Sequence, residues 1–348
     1  MFSIWFLLLV AGISCQDPST DRAEWKEWRA TVGKDRSYQN ANDEEEHALA
    51  FEKSLILVKE NKLAFEKGEV HYTLALNEFA DRTDAELAVL RMDAESVKAR
   101  KEYISNLKDS VDDDDSTVKD NKLRSSFDWR QYSKAKFPEI EDQGSCGSCY
   151  SFSSMFAMEA QLAIFNNITT SLSKQYVLDC TWYVDPKTLL NRGCSGGLDI
   201  VTYEWLHANG KGVPETSVYE YTGENRVRSC PATTSGPTYK VKSFRHANNS
   251  ETLLQENLLR WGPITCGIHA SKKFQLYYDG IYHEDNCDSA DIDHSVVAIG
   301  YGSENGVDFW ILRNSWGTNW GQGGYGKLMR GTNECGFPDT TAWPQVTF

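Results

Sequence analysis

The most informative segment of this chain runs Gln143-Gly144-Ser145-Cys146-Gly147-Ser148-Cys149-Tyr150-Ser151-Phe152. It places the thiol of Cys149 at the start of an apolar run with helical spacing, where the positive end of a helix favours a thiolate over a thiol. The backbone N–H of Cys149 and the side-chain amide of Gln143 could together donate hydrogen bonds to an oxyanion on an attacked carbonyl group. Gly144 and Gly147 leave the approach to the sulfur open. The segment therefore predicts a nucleophilic cysteine.

A thiolate nucleophile needs a cationic partner, normally an imidazolium, and a third group that orients the imidazole. Of the seven histidines, His294 opens a buried-strand pattern that is closed by glycines, and a residue at the mouth of such a strand is held rigidly. Asn314 follows an apolar run, and its side-chain oxygen could accept a hydrogen bond from the imidazole, with Trp316 covering that bond. We therefore predict a site made by Cys149, His294 and Asn314. A core histidine without a chemical role is the alternative for His294.

These motifs resemble those of the papain-like cysteine peptidases, the cathepsin family, and they follow the family's order. His294 lies about 145 residues after Cys149 and Asn314 about 165, compared with the roughly 130–150 typical of the family, and we interpret the excess as loop insertions. The resemblance covers nearly all of residues 123–348. It implies an α+β fold with a helical lobe facing a β-barrel-like lobe, preceded by an α-helical inhibitory propeptide.

The residue patterns of the second half agree with two unlike lobes. Three helices are expected: one after Cys149, one capped by Ser173, and one over Leu198–Asn209 that ends at Gly210. Short β-rich runs alternate with glycine turns further on. The expected strands are Tyr239–Phe244, Ile264–Ile268, His294–Tyr301, Phe309–Asn314 and Gly324–Arg330.

Substrate contacts follow only from positions that match the family's motifs. Cys194-Ser195-Gly196-Gly197 resembles the family's glycine wall, where backbone groups pair with an extended peptide. The resemblance places the second specificity pocket at Leu198, Asp199, Gly267, Ile292 and Thr340, and further substrate contacts at Gly147, Asp293 and Trp316. Leu198 and Ile292 favour an apolar side chain, whereas Asp199 and Thr340 add polarity. We expect a broad preference for apolar residues with some tolerance of basic ones.

The chain contains nine cysteines, which bear on compartment and on metal binding. The resemblance implies the disulfides Cys146–Cys194, Cys180–Cys230 and Cys287–Cys335, although the cysteine positions alone allow many other pairings. Cys266 is left over and is expected to be a small buried hydrophobic residue, with a redox-sensitive thiol as the alternative. Cys146 and Cys149 are the only close pair, and no second CxxC or HxxxH accompanies them. We therefore expect no metal site, and the resemblance implies no cofactor.

The segment before the nucleophile has its own helical organisation. The expected elements are a helix around Trp25 and Trp28, a helix over Asp43–Phe65, a strand over Tyr72–Asn77 and a short helix opened by a capping box at Thr83-Asp84-Ala85-Glu86. This order resembles the propeptide of cathepsin L-type enzymes, whose globular head docks on the enzyme and whose tail lies through the cleft. The match is uneven, because Ala75 replaces the first glycine of the second propeptide motif. A generic helical pre-domain that only assists folding is the alternative.

Length and charge fit a secreted precursor. Residues 1–15 predict a signal peptide, because their apolar core is far shorter than the ~20 residues that span a bilayer. We expect a propeptide over 16–123, an acidic hinge at Asp112–Asp115, and a peptidase domain over 124–348 without a membrane anchor. Asn167 and Asn248 are candidate glycosylation sites, compatible with a route to a lysosome or the extracellular space. The formal net charge of −14 argues against nucleic acid as a partner.

The combined interpretation is a secreted or lysosomal cysteine endopeptidase that is made as a zymogen and works through an acyl-enzyme. Its expected partners are peptide or protein substrates, its own propeptide as an intramolecular inhibitor, and cystatin-like inhibitors. Tyr150 and Gly331-Thr332-Asn333-Glu334-Cys335 also resemble dipeptidyl peptidase I, although that enzyme's exclusion domain is not apparent. A dipeptidyl-type exopeptidase, a Cys/His acyltransferase and a non-catalytic papain-like binding protein remain alternatives.

Overall fold

The computed structural model describes residues 18–107, 124–182, 184–185, 188–225, 230–231, 235–247, 250–287 and 292–348. The predicted signal peptide, the acidic run Asp112–Asp115 and the candidate glycosylation site Asn248 lie outside the described residues. Among the described residues, no helix combines the length and the apolarity that a membrane span requires.

Most helices of the described chain lie in its N-terminal half, and the rest lie further on. They are α1 Pro18–Thr31, α2 Ala41–Glu66, α3 Asp84–Ala88, α4 Ala94–Asn106, α5 Trp129–Tyr132, α6 Cys149–Gln161, α7 Lys174–Cys180, α8 Asp199–Asn209, α9 Glu251–Trp261 and α10 Lys272–Gln275. The predicted capping box is confirmed, because Thr83 accepts from the backbone of Glu86 and the Glu86 side chain accepts in return. Ser173 caps α7, and Gly210 ends α8 in a left-handed conformation, also as predicted.

Most of the strands belong to one mixed sheet. They are β1 Tyr72–Leu74, β2 Phe127–Asp128, β3 Val184–Asp185, β4 Thr188–Leu189, β5 Val213–Pro214, β6 Thr238–Ala247, β7 Ile264–Ile268, β8 Tyr277–Tyr282, β9 His294–Glu304, β10 Val307–Arg313, β11 Tyr325–Met329 and β12 Thr341–Thr347. The order in the sheet is β1-β8-β11-β10-β9-β7-β12-β6-β5, with β2 also paired to β9 and with β3–β4 as a separate hairpin. All five predicted strands of the second half are present, whereas β8, β12 and the helix α9 were not predicted.

The N-terminal segment, which is expected to be a propeptide, contributes the outermost strand of that sheet. Its strand β1 pairs antiparallel with β8 of the enzyme, but it ends at Leu74, not at Asn77 as predicted. Beyond Leu74 the chain turns away, and the Asn77 side chain donates to the carbonyl oxygen of Gln275 at 2.8 Å. Lys272 of the enzyme donates in the other direction, to the carbonyl oxygen of Phe79 at 2.8 Å. The head of the propeptide is therefore joined to the enzyme by both backbone and side-chain hydrogen bonds.

Helix α6 is the common support of both lobes. Every one of its residues is buried, and it contacts α8 on one side and β9 on the other. The lobes meet where the hydroxyl oxygens of Ser153 on α6 and Ser295 on β9 lie 2.9 Å apart. Since Cys149 begins α6 and His294 begins β9, the packing brings the two predicted catalytic residues to the same cleft.

Three disulfides close loops around this cleft, and they are the pairs that the resemblance implies. They join Cys146 to Cys194, Cys180 to Cys230 and Cys287 to Cys335. Cys149 and Cys266 are free and buried. Disulfides of this kind persist in oxidising compartments, which agrees with a secretory route.

Candidate active site

The imidazole of His294 is oriented by Asn314. His294 Nε2 lies 2.8 Å from Asn314 Oδ1, and the same oxygen accepts from the backbone N–H of Ser315 at 2.8 Å. An oxygen that accepts both bonds requires the proton to sit on Nε2, so Nδ1 carries the free lone pair. Nδ1 is buried and has no hydrogen-bond partner among the described residues. It is therefore the ring nitrogen that can take a proton from a nucleophile.

The sulfur of Cys149 belongs to the same constellation. Backbone hydrogen bonds from Ser295 and Tyr150 act on it, which places it beside the residue that follows His294. Trp316 stacks on the His294 ring, with centroids 4.4 Å apart and planes 26° apart. The indole covers the hydrogen bond to Asn314, as expected for a pair that must be kept away from water.

Burial determines the protonation of this pair in the covered site. Burial raises the pKa of the Cys149 thiol to about 12, and the charge of Asp199 adds to the effect. Burial also lowers the pKa of His294 to about 4, although the hydrogen bond to Asn314 opposes this. The thiolate predicted from the helix N-terminus is therefore disfavoured in the covered site. Thiol and neutral imidazole are the resting forms of the zymogen.

The tail of the propeptide occupies the place of a substrate backbone. Gln143 Nε2 donates to the carbonyl oxygen of Leu90 at 2.9 Å, which is the contact expected of an oxyanion-hole donor. Further along, Met92 N donates to Asp293 O at 2.8 Å and Asp93 N donates to Ser195 O at 3.1 Å. The irregular segment 90–93 thus bonds to both walls of the cleft, although it forms no regular strand.

Two glycines allow this close approach. A Cβ on Gly147 would lie 2.5 Å from the carbonyl oxygen of Cys194 and 2.8 Å from that of Arg91, so no side chain fits there. A Cβ on Gly196 would touch Met92 at 3.0 Å. Gly197, the last residue of the predicted glycine wall, packs against the ring of Tyr150.

Residues predicted to form the second specificity pocket line one cavity, which propeptide residues also line. Leu198, Asp199, Gly267 and Thr340 line one cavity, and Ile292 lies against Gly267. The side chain of Arg100, from α4, enters this cavity, where its guanidinium donates to Thr340 Oγ1. Ser295 also lines the cavity, and with Ser153 it holds the carboxylate of Asp199.

Sequence reasoning missed Arg100, Ser153 and Ser295. The two serines lie inside motifs that were examined, one turn after Cys149 and directly after His294. Their closeness along the chain to Cys149 and His294 is the signal that could have identified them as residues of the cleft. Asn167, by contrast, lies exposed in a left-handed turn, where a glycan could be attached.

Comparisons with known proteins agree with this geometry. A model described as "Papain family cysteine protease" matches residues 123–345, and one described as "Cathepsin propeptide inhibitor domain" matches residues 25–87. Digestive cysteine proteinase 1 of Homarus americanus is 33% identical over 325 residues, which cover 92% of this chain and 94% of that protein. Cathepsin S of Bos taurus is 30% identical over 357 residues, which cover 99% of both chains.

The likeness extends to three dimensions. The structure of digestive procathepsin L 3 from the larval midgut of Tenebrio molitor matches with a TM-score of 0.76 and 30% sequence identity. The match covers 93% of this chain and 98% of that one, so it includes both the propeptide and the two lobes.

Proposed function

Because the chain belongs to the papain family of cysteine proteases, we propose that its mature form is an endopeptidase that works through Cys149, His294 and Asn314. The chain is a cysteine-type peptidase made as a zymogen with an inhibitory propeptide. The observation that carries the residue assignment is the hydrogen bond from His294 Nε2 to Asn314, which leaves Nδ1 as the base.

The reaction follows from these positions. Once the propeptide has left, His294 Nδ1 takes the proton of Cys149, and the thiolate attacks the carbonyl carbon of the peptide bond. The side-chain amide of Gln143 and the backbone N–H of Cys149 stabilise the tetrahedral oxyanion. His294 then protonates the departing amine. A water molecule that His294 activates attacks the thioester, so the acyl group leaves as a carboxylic acid and Cys149 is regenerated.

The course of the propeptide supports endopeptidase action. From Phe79, whose ring lies 5.3 Å from that of Trp316, the chain passes Gln143 and continues to Arg100 in the specificity pocket. A groove that holds peptide on both sides of Cys149 suits cleavage within a chain. A dipeptidyl-type exopeptidase is the second candidate, favoured by Tyr150, and it would release dipeptides from free N-termini.

The remaining assignments complete the proposal. Residues 1–15 are the signal peptide, 16–123 the propeptide and 124–348 the peptidase domain, which works in a lysosome or outside the cell. Gly147, Gly196 and Gly197 contact the substrate backbone. Cystatin-like proteins inhibit the mature enzyme, and Asn167 and Asn248 carry glycans.

An active-site titration tests the mechanism. After acid incubation, a thiol-directed epoxide should label Cys149 in one-to-one ratio and abolish hydrolysis of N-terminally blocked peptides. Cys149→Ser should lower kcat/KM by on the order of 10⁴-fold or more, whereas Cys266→Ser, the matched change at the other free thiol, should retain activity. Absence of labelling in processed protein would leave a non-catalytic binding protein as the better account.

The same reagent tests the protonation state of the covered site. In intact zymogen the neutral, buried thiol of Cys149 should react far more slowly than in processed protein, because alkylation requires a thiolate. Mass spectrometry of peptides after timed exposure to iodoacetamide measures both rates. Equal rates before and after processing would contradict the assigned role of the propeptide.

A further inference from the structure

The specificity pocket of this chain already holds a buried cation. Arg100 is 5% exposed, although it lies on the propeptide and not in the enzyme's own core. Its guanidinium donates to Thr340 Oγ1, and its Nη2 atom would lie 3.3 Å from a Cβ on Gly267. Burial lowers the pKa of Arg100 to about 10, while Asp339 and Asp199 act in the opposite direction through space. The side chain therefore remains charged inside the pocket at neutral and acidic pH.

A carboxylate forms part of the same cavity. Asp199 is the first residue of α8, and its Oδ2 atom accepts from Ser295 Oγ at 2.7 Å. Its Oδ1 atom accepts from Ser153 Oγ, so one serine from each lobe fixes the carboxyl group. Burial raises the pKa of Asp199 to about 7, and the two serines and Arg100 oppose the rise. An acidic group held this firmly beside a cavity is costly unless a cation or a proton compensates it.

The walls of the cavity suit the rest of a basic side chain. Leu198 is buried in the pocket lining, and Ile292 closes the wall beside Gly267, so methylene groups can lie along apolar surface. Thr340 supplies a neutral acceptor, which Arg100 already uses, and Asp199 supplies a charged one in the lining of the same cavity. A guanidinium, with its several donors in one plane, can use both at once, whereas an ammonium group acts as a single point charge.

We propose that Asp199 makes this pocket select a basic side chain, arginine before lysine, two residues before the scissile bond. The inference rests on the proposed peptidase function and narrows its substrate class to peptides with arginine at that position. It also revises the expectation of a broad preference for apolar residues. In this view Arg100 uses, within the zymogen, the pocket that a substrate arginine uses after processing.

The test compares two side chains of nearly the same shape. Full-length protein is expressed, processed in acid and then returned to a pH above 7, where Asp199 is ionised. It is supplied with blocked dipeptidyl fluorogenic substrates in which arginine, citrulline, lysine or leucine lies two residues before the scissile bond. Citrulline keeps the length and most donors of arginine but lacks its charge. We expect kcat/KM for arginine to exceed that for citrulline and for leucine by about tenfold or more.

Variants identify the group responsible. Asp199→Asn should reduce the arginine-to-citrulline ratio towards one; the amide oxygen can still accept from one serine, and the amide nitrogen can donate to the other. Glu204→Gln removes the same charge from the same helix outside the cavity, and it should leave the ratio unchanged. The wild-type ratio needs no variant, so the test stands even if Asp199→Asn fails to fold.

The outcomes separate this inference from the function beneath it. A wild-type enzyme that hydrolyses leucine and citrulline substrates as well as the arginine substrate would overturn the selection of a basic side chain. A strong arginine preference that survives in Asp199→Asn would overturn the role of Asp199. Hydrolysis of none of the substrates, together with no epoxide labelling, would instead reject the peptidase function itself.

Discussion

Two groups of charged side chains stabilise the zymogen, one in the propeptide and one in the enzyme. The head cluster comprises Arg36, Tyr38, His47, Asp81 and Glu86. In it, Arg36 Nε donates to Asp81 at 3.0 Å, Tyr38 donates to the same carboxylate at 2.9 Å, and His47 Nδ1 lies 2.8 Å from the Asp81 carbonyl oxygen.

The second group, the lobe cluster, comprises Lys174, Glu159 and Glu141. Lys174 Nζ donates to Glu159 at 2.8 Å and also pairs with Glu141, while the backbone N–H of Leu172 donates to Glu159 at 2.7 Å. The side chains of Lys174 and Glu159 are both 0% exposed.

The two clusters differ in their access to water. In the head cluster the cation Arg36 is 23% exposed, and its two acidic partners are 0% (Asp81) and 34% (Glu86) exposed. In the lobe cluster the cation Lys174 is 0% exposed, and its partners are 0% (Glu159) and 29% (Glu141) exposed, so the difference in access to water lies mainly at the cation. The lobe cluster is sealed at its centre by α6 and α7. The part of the chain that must later be discarded therefore pairs a partly exposed arginine with its carboxylates, whereas the part that remains holds its lysine fully buried between two glutamates.

The largest effect is expected from breaking the sealed cluster. Lys174→Met would leave Glu159 buried without its cation, and it should lower the free energy of unfolding by about 3–5 kcal/mol. The matched change Lys136→Met removes an exposed lysine from a surface pair with Glu139 and should cost far less, because solvent screens that pair. Denaturant unfolding of the zymogen in a Cys149→Ser background measures both. If both variants lost the same free energy of unfolding, burial of the ion pair would not explain the stability of the lobe cluster.

A smaller effect is expected in the head cluster. Asp81→Asn would weaken the bonds from Arg36 and Tyr38 to a fully buried carboxylate, at a cost of about 1.5–3 kcal/mol to the propeptide head. The zymogen should then be processed at a higher pH than the wild type. Asp35→Asn, a nearby exposed position, serves as the control in timed gel assays. An unchanged pH of processing in Asp81→Asn would show that the head does not control activation.

The smallest effect is expected from protonation of the Glu86 carboxylate as the pH falls. Burial raises the pKa of Glu86, but the hydrogen bond from the backbone N–H of Thr83 and the charge of Arg36 together lower it by more, so the net shift is downward. A carboxylate with a lowered folded-state pKa contributes stability above its unfolded pKa of about 4.3 and loses it as the pH falls through the folded value. Because Glu86 is partly exposed, the contribution is about 1 kcal/mol or less.

Glu86→Gln separates this charge from the capping geometry, since glutamine can also close a capping box. The variant should be processed faster near neutral pH and should gain less on acidification. Glu66→Gln, an exposed change at the end of α2, should keep the wild-type profile. Identical pH profiles for Glu86→Gln and the wild type would assign acid activation to other groups.

The sequence predicted the catalytic constellation better than its surroundings. Cys149, His294 and Asn314 lie in motifs whose local chemistry is nearly complete, so their neighbours along the chain already indicate their roles. Helix α9 was not predicted, although Ser250 caps it and Leu254 and Leu258 repeat at helical spacing. These local helix signals lie between β-rich runs, which favour strands on both sides of them.

The position of Arg100 is a different case. Within its own segment it is one charged residue in a helix of low hydrophobicity, and nothing in the flanking sequence marks it as buried. Its burial arises when α4 docks across a cavity formed by residues about 100 and 240 positions away. Tertiary docking of one part of the chain on another is the information that a single-sequence pattern lacks.

The join between β1 and β8 has a consequence for the processed enzyme. Only three residues of β1 take part, and a Cβ at Gly280 would lie 2.2 Å from the carbonyl oxygen of His71, so glycine alone permits the contact. Once the propeptide departs, β8 is the outermost strand of the described sheet, and its backbone can pair with another molecule. The exposed strip is short, lacks a side chain at its centre and carries the negative charge of Asp279. The edge that remains after processing therefore offers little surface on which a second molecule could add a strand.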